Sequence, residues 1–472
     1  MLGSGTTSST DGDNGCGYPR SEPFAPASRD CTVSGQAAAL CHDACVSTLA
    51  AHSRSRRRVT LVAMVGGAVL VIYLARLLAM GHTEVVRSDY LATQTAGVII
   101  ADGQGSQLYV DQVQGPVYAR LAGGDHTGDL LFNHAPLTAV MNAPISGLDP
   151  VSGHLLWSLF QFLLVVIACG VVAIVAPWPK RTPRLLPVAA TLVALAGAGT
   201  LPMLTEGQEL GTITLGLALA YAAWRSDRLG MGSAALVAGA AIAKPHLALG
   251  LVAFMAGWRD RRIVAGALVG ALVAGSLSVM AVGWTACLAF IETAIRSNSL
   301  SPHAQLLGFN GLFAAWFSDG VAATVLGGIC SVAALALAVA LGTAVRRDRS
   351  RLGPALIGAT LLSLLASPHT FSHDLTLLAP MLVLAVAEAA RGSKSAEWPA
   401  RPTRRVLAVW LLIIAASGID STVALPAALG RLSTLALMVG ATMAAKATWP
   451  IRPSRADFGP TVQNQRRATY AQ

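Results

Sequence analysis

Residues 234–257 read AALVAGAAIAKPHLALGLVAFMAG, and the way this run is drawn decides the topology of everything after it. It is long enough to cross a hydrocarbon core about 30 Å thick once, yet Lys244-Pro245 interrupts it near the middle. Proline cannot continue the helical hydrogen-bond ladder, and it disfavours helix at the residue before it. A single crossing would put Arg259, Arg261 and Arg262 on the side opposite Arg225 and Arg228. A fold-back at Pro245 leaves both arginine clusters on one side. The fold-back predicts two short helices with Lys244 at their apex.

Outward from this hairpin, apolar runs at 59–80, 155–177, 185–204, 210–224, 263–284, 321–345, 352–368, 375–390, 406–418 and 427–445 each read as a crossing. In lipid every backbone amide must be satisfied within its own segment, so such runs are helices. The expected fold is an all-α, multi-pass bundle of about 12 membrane helices, two of them the short hairpin. Of the chain, 54% is hydrophobic and only 12% charged, which excludes an ordinary soluble domain.

The net charge of +10 does not point to nucleic acid. Its arginines and lysines cluster in short loops, after 54–58, 180–184, 225–228, 259–262, 346–351, 391–405 and 446–467, all on one side of the hairpin topology. Only Arg87, Arg120 and Arg296 fall on the other. Positive loops mark the cytoplasmic side of a membrane, so both termini are expected in the cytoplasm and the plasma membrane is the expected location. Residues 1–53, rich in Gly, Ser, Thr and Asp, read as a disordered cytoplasmic extension. Residues 54–446 form the membrane domain, with 81–154 its first extracytoplasmic loop, and 447–472 a basic cytoplasmic tail. Cys16, Cys31, Cys41 and Cys45 then lie in a reducing compartment, and Cys169, Cys287 and Cys330 read as small packing residues. Cys41-His42-Asp43-Ala44-Cys45 lacks the ligands of a standard metal site.

The same topology gathers reactive side chains on the outer side. Asp89 follows the first helix, Glu206, Gln208 and Glu209 occupy a turn, His303 a loop, and His369, His373 and Asp374 another turn. Lys244 points the same way. A carboxylate at Asp89 could take a proton from a sugar hydroxyl attacking an anomeric carbon; the alternative is an interfacial acid paired with Arg87. Lysine within an apolar run costs roughly 2.5–3.5 kcal/mol to insert, which calls for a partner at Lys244. A phosphate suits a compact ammonium, although a lysine snorkelling to the cytoplasmic surface would also fit. His369 and His373, four apart, would share a helical face if the following helix begins early. They could donate to phosphate or a sugar hydroxyl, or be structural; zinc would need a third ligand.

The order of these motifs resembles the bacterial C-type glycosyltransferases of the polyprenyl-phosphate-mannose-dependent α-(1→2)-mannosyltransferase group, over about residues 59–445. The similarity rests on Asp89-Tyr90, Gly105-Ser106-Gln107-Leu108-Tyr109, Phe132-Asn133-His134-Ala135-Pro136, Ala143-Pro144, Gly207-Gln208, Ala243-Lys244-Pro245, Ser367-Pro368-His369 and Phe371-Ser372-His373. Thr93, His134-Ala135 and Glu209 depart from the residues usual there. The resemblance implies a metal-independent enzyme with Asp89 as catalytic base and the donor phosphate near Lys244, His369 and His373. Tyr90, Tyr109, His134, Glu206, Gln208 and Asp374 are the expected substrate-binding set. The expected partners are a polyprenyl-phosphate-linked sugar, a glycolipid or glycan acceptor and membrane lipids. Arabinofuranose from a decaprenyl-phosphate donor is the nearest alternative to mannose. A transporter or lipid flippase is the alternative of another class, though apart from Lys244 the helix interiors lack the mid-depth charges that transporters use.

Overall fold

The computed structural model describes residues 35–123, 131–180, 182–300, 306–318, 320–392, 400–422 and 431–449. Two compact units divide the chain, Met1–Ala50 and Ala51–Gln472. In the first, the described residues all belong to helix α1 (Gly35–Leu78); the second holds the bundle. Cys16, Cys31, Asp125, Asp129, His303 and the tail from 450 onward lie outside the described residues, as do the side chains of Cys41 and Cys45.

Every regular element among the described residues is helical. After α1 come four short helices, α2 (His82–Val86), α3 (Tyr90–Ala101), α4 (Asp111–Ala122) and α5 (Pro136–Asn142). Pro136 opens α5 at a position where its missing N–H costs nothing. α3 buries Tyr90–Ile99 without a gap, so it lies inside the assembly and has no polar face. Asp149 caps α6 (Pro150–Val175), its Oδ1 accepting from Val151 N and Ser152 N at 3.1 Å each.

The run expected as one helix over 185–204 is instead α7 (Leu185–Leu195) and α8 (Thr200–Glu206), bent by 51°. The reason is local: Gly197 and Gly199 weaken the helix, and the Thr376 backbone presses against Gly199, where no β-carbon fits.

α9 (Leu210–Arg225) and α10 (Leu229–Ile242) then run antiparallel. A β-carbon at Gly216 or Gly239 would stand 2.7 Å from the facing carbonyl of Ala235 or Thr212. α11 (Leu249–Trp258) returns along α10's course in the opposite direction. Its Trp258 meets Trp224 of α9 at 5.5 Å between ring centroids, and Arg262 beyond it reaches Asp227 at 3.2 Å. The chain therefore reverses at Lys244-Pro245, and both flanking arginine clusters share one end of the bundle.

α12 (Arg261–Leu300) extends past the boundary expected at 284, interrupted only at Gly283, whose φ of 81° no helix accommodates. α13 (Phe309–Phe317) fills part of the stretch between the expected crossings at 263–284 and 321–345. α14 (Val321–Arg347) comes back to the arginine end, where Arg349 joins Asp227 at 3.3 Å. α15 (Leu352–Ala366), buried along nearly its whole length, forms the centre. After a 3-10 turn over Ser372–Leu378, α16 (Ala379–Arg391), α17 (Arg401–Thr422) and α18 (Leu432–Thr448) close the bundle. Among the described residues, six helical stretches are long and apolar enough to cross a membrane, seven with the bent pair. The other runs read as crossings are shorter apolar helices. Cys169 is buried, and Cys287 and Cys330 are half-buried.

The bundle thus has a basic end, with Arg225, Arg262, Arg349 and Arg391, and an opposite end where the connections between α5 and α10 and between α13 and α15 meet. There Thr138 Oγ1 donates to Ile242 O at 2.7 Å and Leu307 N to Thr370 O at 2.7 Å.

Candidate active site

Asp89 stands in the turn between α2 and α3, at the end away from the arginines. Directly behind it Tyr90 is wholly buried, edge-on to His154 at 5.3 Å. Gly207 closes α8 with φ 65°, and a β-carbon there would fall 2.6 Å from Tyr90 Cβ. Only glycine allows both the left-handed turn and that approach. Trp157 Nε1 pins the turn by donating to Gly207 O at 2.9 Å. The next residue, Gln208, is thereby aimed at the carboxylate: its Nε2 donates to Asp89 Oδ2 at 2.5 Å. Glu206 lies against the Asp89 backbone. Asp89 is therefore held by Gln208, whereas Arg87 is exposed.

Burial pushes the Asp89 carboxyl above the ordinary aspartate range. The charges of His134 and Lys244 and the Gln208 hydrogen bond pull it back in part, and the negative Glu209 pushes it further up. A carboxylate so placed is a better proton acceptor than a free aspartate.

A second pair stands beside it. Glu209, buried, meets His134 Nδ1 through Oε1 at 2.6 Å. Burial drives the Glu209 carboxyl up, but the neighbouring His134 ring and Lys244 ammonium outweigh it and hold the group at about 2. Its Oε2 finds no hydrogen-bond donor among the described residues. The loop carrying His134 is fixed by Tyr109, whose hydroxyl donates to His134 O at 2.7 Å and whose ring stacks on Phe132.

The third group is Lys244. With its side chain almost buried, Nζ lies 2.8 Å from His373 Nε2 and 3.1 Å from Asp374 Oδ1. Asp374 is itself oriented by accepting Phe371 N through Oδ2 at 2.8 Å. Removing one member of a buried ion pair of this kind leaves the other uncompensated. His369 and His373 do not share a face as the four-residue spacing suggested: Phe371 is extended (φ −107°, ψ 176°), and the helix starts only at Ser372. His373 turns to Lys244, and His369 packs edge-on against His246 and Phe371 at 5.9 and 4.7 Å.

A cavity of about 430 Å³ opens over these groups, lined by His134, Lys244, His246, His369 and, from α12, Phe290, Ile291 and Ile295. Ile291 and Ile295 are largely exposed, so one wall of the cavity is apolar and continuous with the outer surface of α12. Asp89 is not part of that lining; it couples to it through the fields of His134 and Lys244. His246 escaped sequence reading, as did the ion-pair role of Glu209. The signal for the first is its adjacency to Lys244-Pro245, while the second had only a departure from a family pattern to mark it. No group of three or more His, Cys, Asp or Glu side chains among the described residues is arranged to hold a metal ion.

One end of this helical membrane bundle thus gathers a hydrogen-bonded carboxylate and a buried cation beside a mostly apolar cavity. Residues 132–368, half of the chain, match glycosyltransferase family 87, and the chain belongs to that family. It is a membrane glycosyltransferase, which removes the transporter alternative. No curated protein and no solved structure matches the chain.

Proposed function

We propose that the enzyme transfers a mannosyl residue from a polyprenyl-phosphate donor to a hydroxyl of a cell-envelope glycolipid or glycan, on the outer side of the plasma membrane. The observation that carries this reading is the meeting of Lys244, His373 and Asp89 at the end of the bundle away from the arginines, with Asp89 sensing the Lys244 charge. The apolar wall at Ile291 and Ile295 suits a donor whose prenyl tail stays in lipid while its phosphate reaches Lys244. Asp89 takes the proton of the acceptor hydroxyl as its oxygen bonds to the anomeric carbon. The bond from that carbon to the phosphate oxygen breaks, and the phosphate leaves with the electron pair and inverts the centre. Lys244, already bridged to His373 and Asp374, steadies the released negative charge, and His246 and His369 line the same wall. The motif order around Asp89-Tyr90, Gly207-Gln208 and Lys244-Pro245 supports mannose as the sugar. The outer location follows from the arginine clusters at the far end.

Membranes carrying the enzyme are expected to transfer radiolabelled mannose from a polyprenyl-phosphate donor, and Asp89→Asn should lower the rate by about 10²–10⁴-fold, the usual worth of a positioned base. Undiminished transfer by Asp89→Asn would remove Asp89 from its role. Transfer of arabinofuranose in place of mannose would reassign the donor.

A further inference from the structure

At the basic end, far from Lys244, a polar cavity of about 570 Å³ lies between α9, the α14–α15 connection and α16. Tyr221, Arg225, Asp227, Arg349, Glu388 and Arg391 line it. An apolar groove of about 450 Å³ runs between α15, α16, α17 and α18, past Leu361, Met381 and Trp410. Glu388 and Arg391 belong to the walls of both. The two spaces therefore meet at this ion pair, a charged head beside an apolar body, the outline of an amphiphile.

The charges at the head are unequal. Arg349 pairs with Asp227 at 3.3 Å, and Asp227 also holds Arg262 at 3.2 Å. Arg391 pairs with Glu388 at 2.8 Å. Arg225 in the head and Arg405 at the groove's rim have no carboxylate within ion-pair distance among the described residues, which leaves positive charge in surplus. Tyr221 is 1% exposed, and its hydroxyl lies beside the Arg225 guanidinium, which anchors that arginine in the head.

We propose that the two spaces together hold one anionic phospholipid, its phosphodiester against Arg225 and Arg391 and an acyl chain in the groove between α15 and α18. A free phosphate would satisfy the head and leave the groove without purpose; a zwitterionic lipid would fill the groove and leave the surplus arginine charge unmatched. The site is separate from the catalytic end and does not depend on which sugar is transferred.

Native mass spectrometry of the full-length enzyme in detergent tests this with dioleoyl phosphatidylglycerol, dioleoyl phosphatidylcholine and inorganic phosphate as probes. Phosphatidylglycerol should bind about tenfold or more tighter than phosphatidylcholine, and Arg225→Gln should remove most of that preference, as expected for one lost charged hydrogen bond. Arg225→Lys, which keeps the charge, should retain part of it. Ala385→Trp, which fills the groove, should weaken both lipids while leaving phosphate binding as it was. Equal binding of the two lipids, or a preference untouched by Arg225→Gln in a protein that still binds phosphatidylcholine, would overturn the proposal. Phosphate binding lost in Arg225→Gln together with indifference of the lipids to Ala385→Trp would make this a soluble-anion site instead.

Discussion

Asp89, the proposed base, illustrates how much of such a group is made by its neighbours. An exposed aspartate is a weak base, whereas burial raises this one, and the 2.5 Å bond from Gln208 fixes which lone pairs remain open. The sign of the resulting pH dependence follows. A base works only when deprotonated, so kcat/KM should rise with pH through an acid limb lying above the ordinary aspartate range. Gln208 donates to the charged form and so lowers the group's pKa; Gln208→Leu should shift the acid limb to higher pH. A pH–rate profile of sugar transfer checks both, and a limb moving toward lower pH in Gln208→Leu would contradict the assignment of Asp89 as the titrating base. Glu209 has the opposite character. Its neighbours hold it at about 2, so it stays ionised across the working range and acts as a fixed negative wall against His134, not as a second base.

At the scale of helices, the hairpin is the decisive element, and it was legible because two residues state it: proline ends the ladder and lysine needs a partner. The apolar runs were legible for the same plain reason, since lipid demands them. The bend between α7 and α8 was not, because it depends on the Thr376 backbone meeting Gly199, residues far apart in sequence. Nor were the helices of the 81–154 segment: α3 is buried on all sides, so no amphipathic period marks it. The cluster at Lys244 was only half legible, since spacing alone put His369 and His373 on one face and the extended Phe371 separates them. What holds the hairpin in place is a seam of small residues. α12 buries Ile263, Gly266, Gly270 and Ala274 while Val264, Leu268 and Leu272 face outward. A β-carbon at Gly266 would collide with the Gly230 backbone of α10, and one at Gly270 would lie 2.5 Å from Ala234 O. Close backbone approach of this kind is how membrane helices associate without a hydrophobic drive. Gly266→Leu should therefore destabilise the bundle by about 1–3 kcal/mol, the usual cost of overpacking. Gly275→Ala, in the same helix but with nothing within 4 Å, should be neutral or slightly stabilising. Thermal unfolding in detergent distinguishes the two, and equal midpoints would show that the seam is slack.

The whole molecule is polarised. Arg262, Arg349 and Arg391, tied through Asp227 and Glu388, gather at one end with Arg225, while Asp89, His134, Glu209, Lys244 and His373 gather at the other. With basic loops in the cytoplasm, the carboxylate faces outward, the side on which the proposed lipid-linked donor would be used. Single cysteines decide this orientation. Cys287 lies near the site end and is half-buried, so Cys287→Ser gives the quieter background. In whole cells, Gln107→Cys, in the exposed turn that follows α3, should react with a membrane-impermeant maleimide added outside. Arg261→Cys, exposed at the start of α12, should react only after the membrane is permeabilised. Because α10 and α11 reverse at Pro245, Arg228→Cys must follow Arg261→Cys whichever way the protein faces. Labelling of Arg261→Cys from outside together with Arg228→Cys would turn the enzyme over and put its chemistry in the cytoplasm; labelling of one without the other would break the hairpin itself.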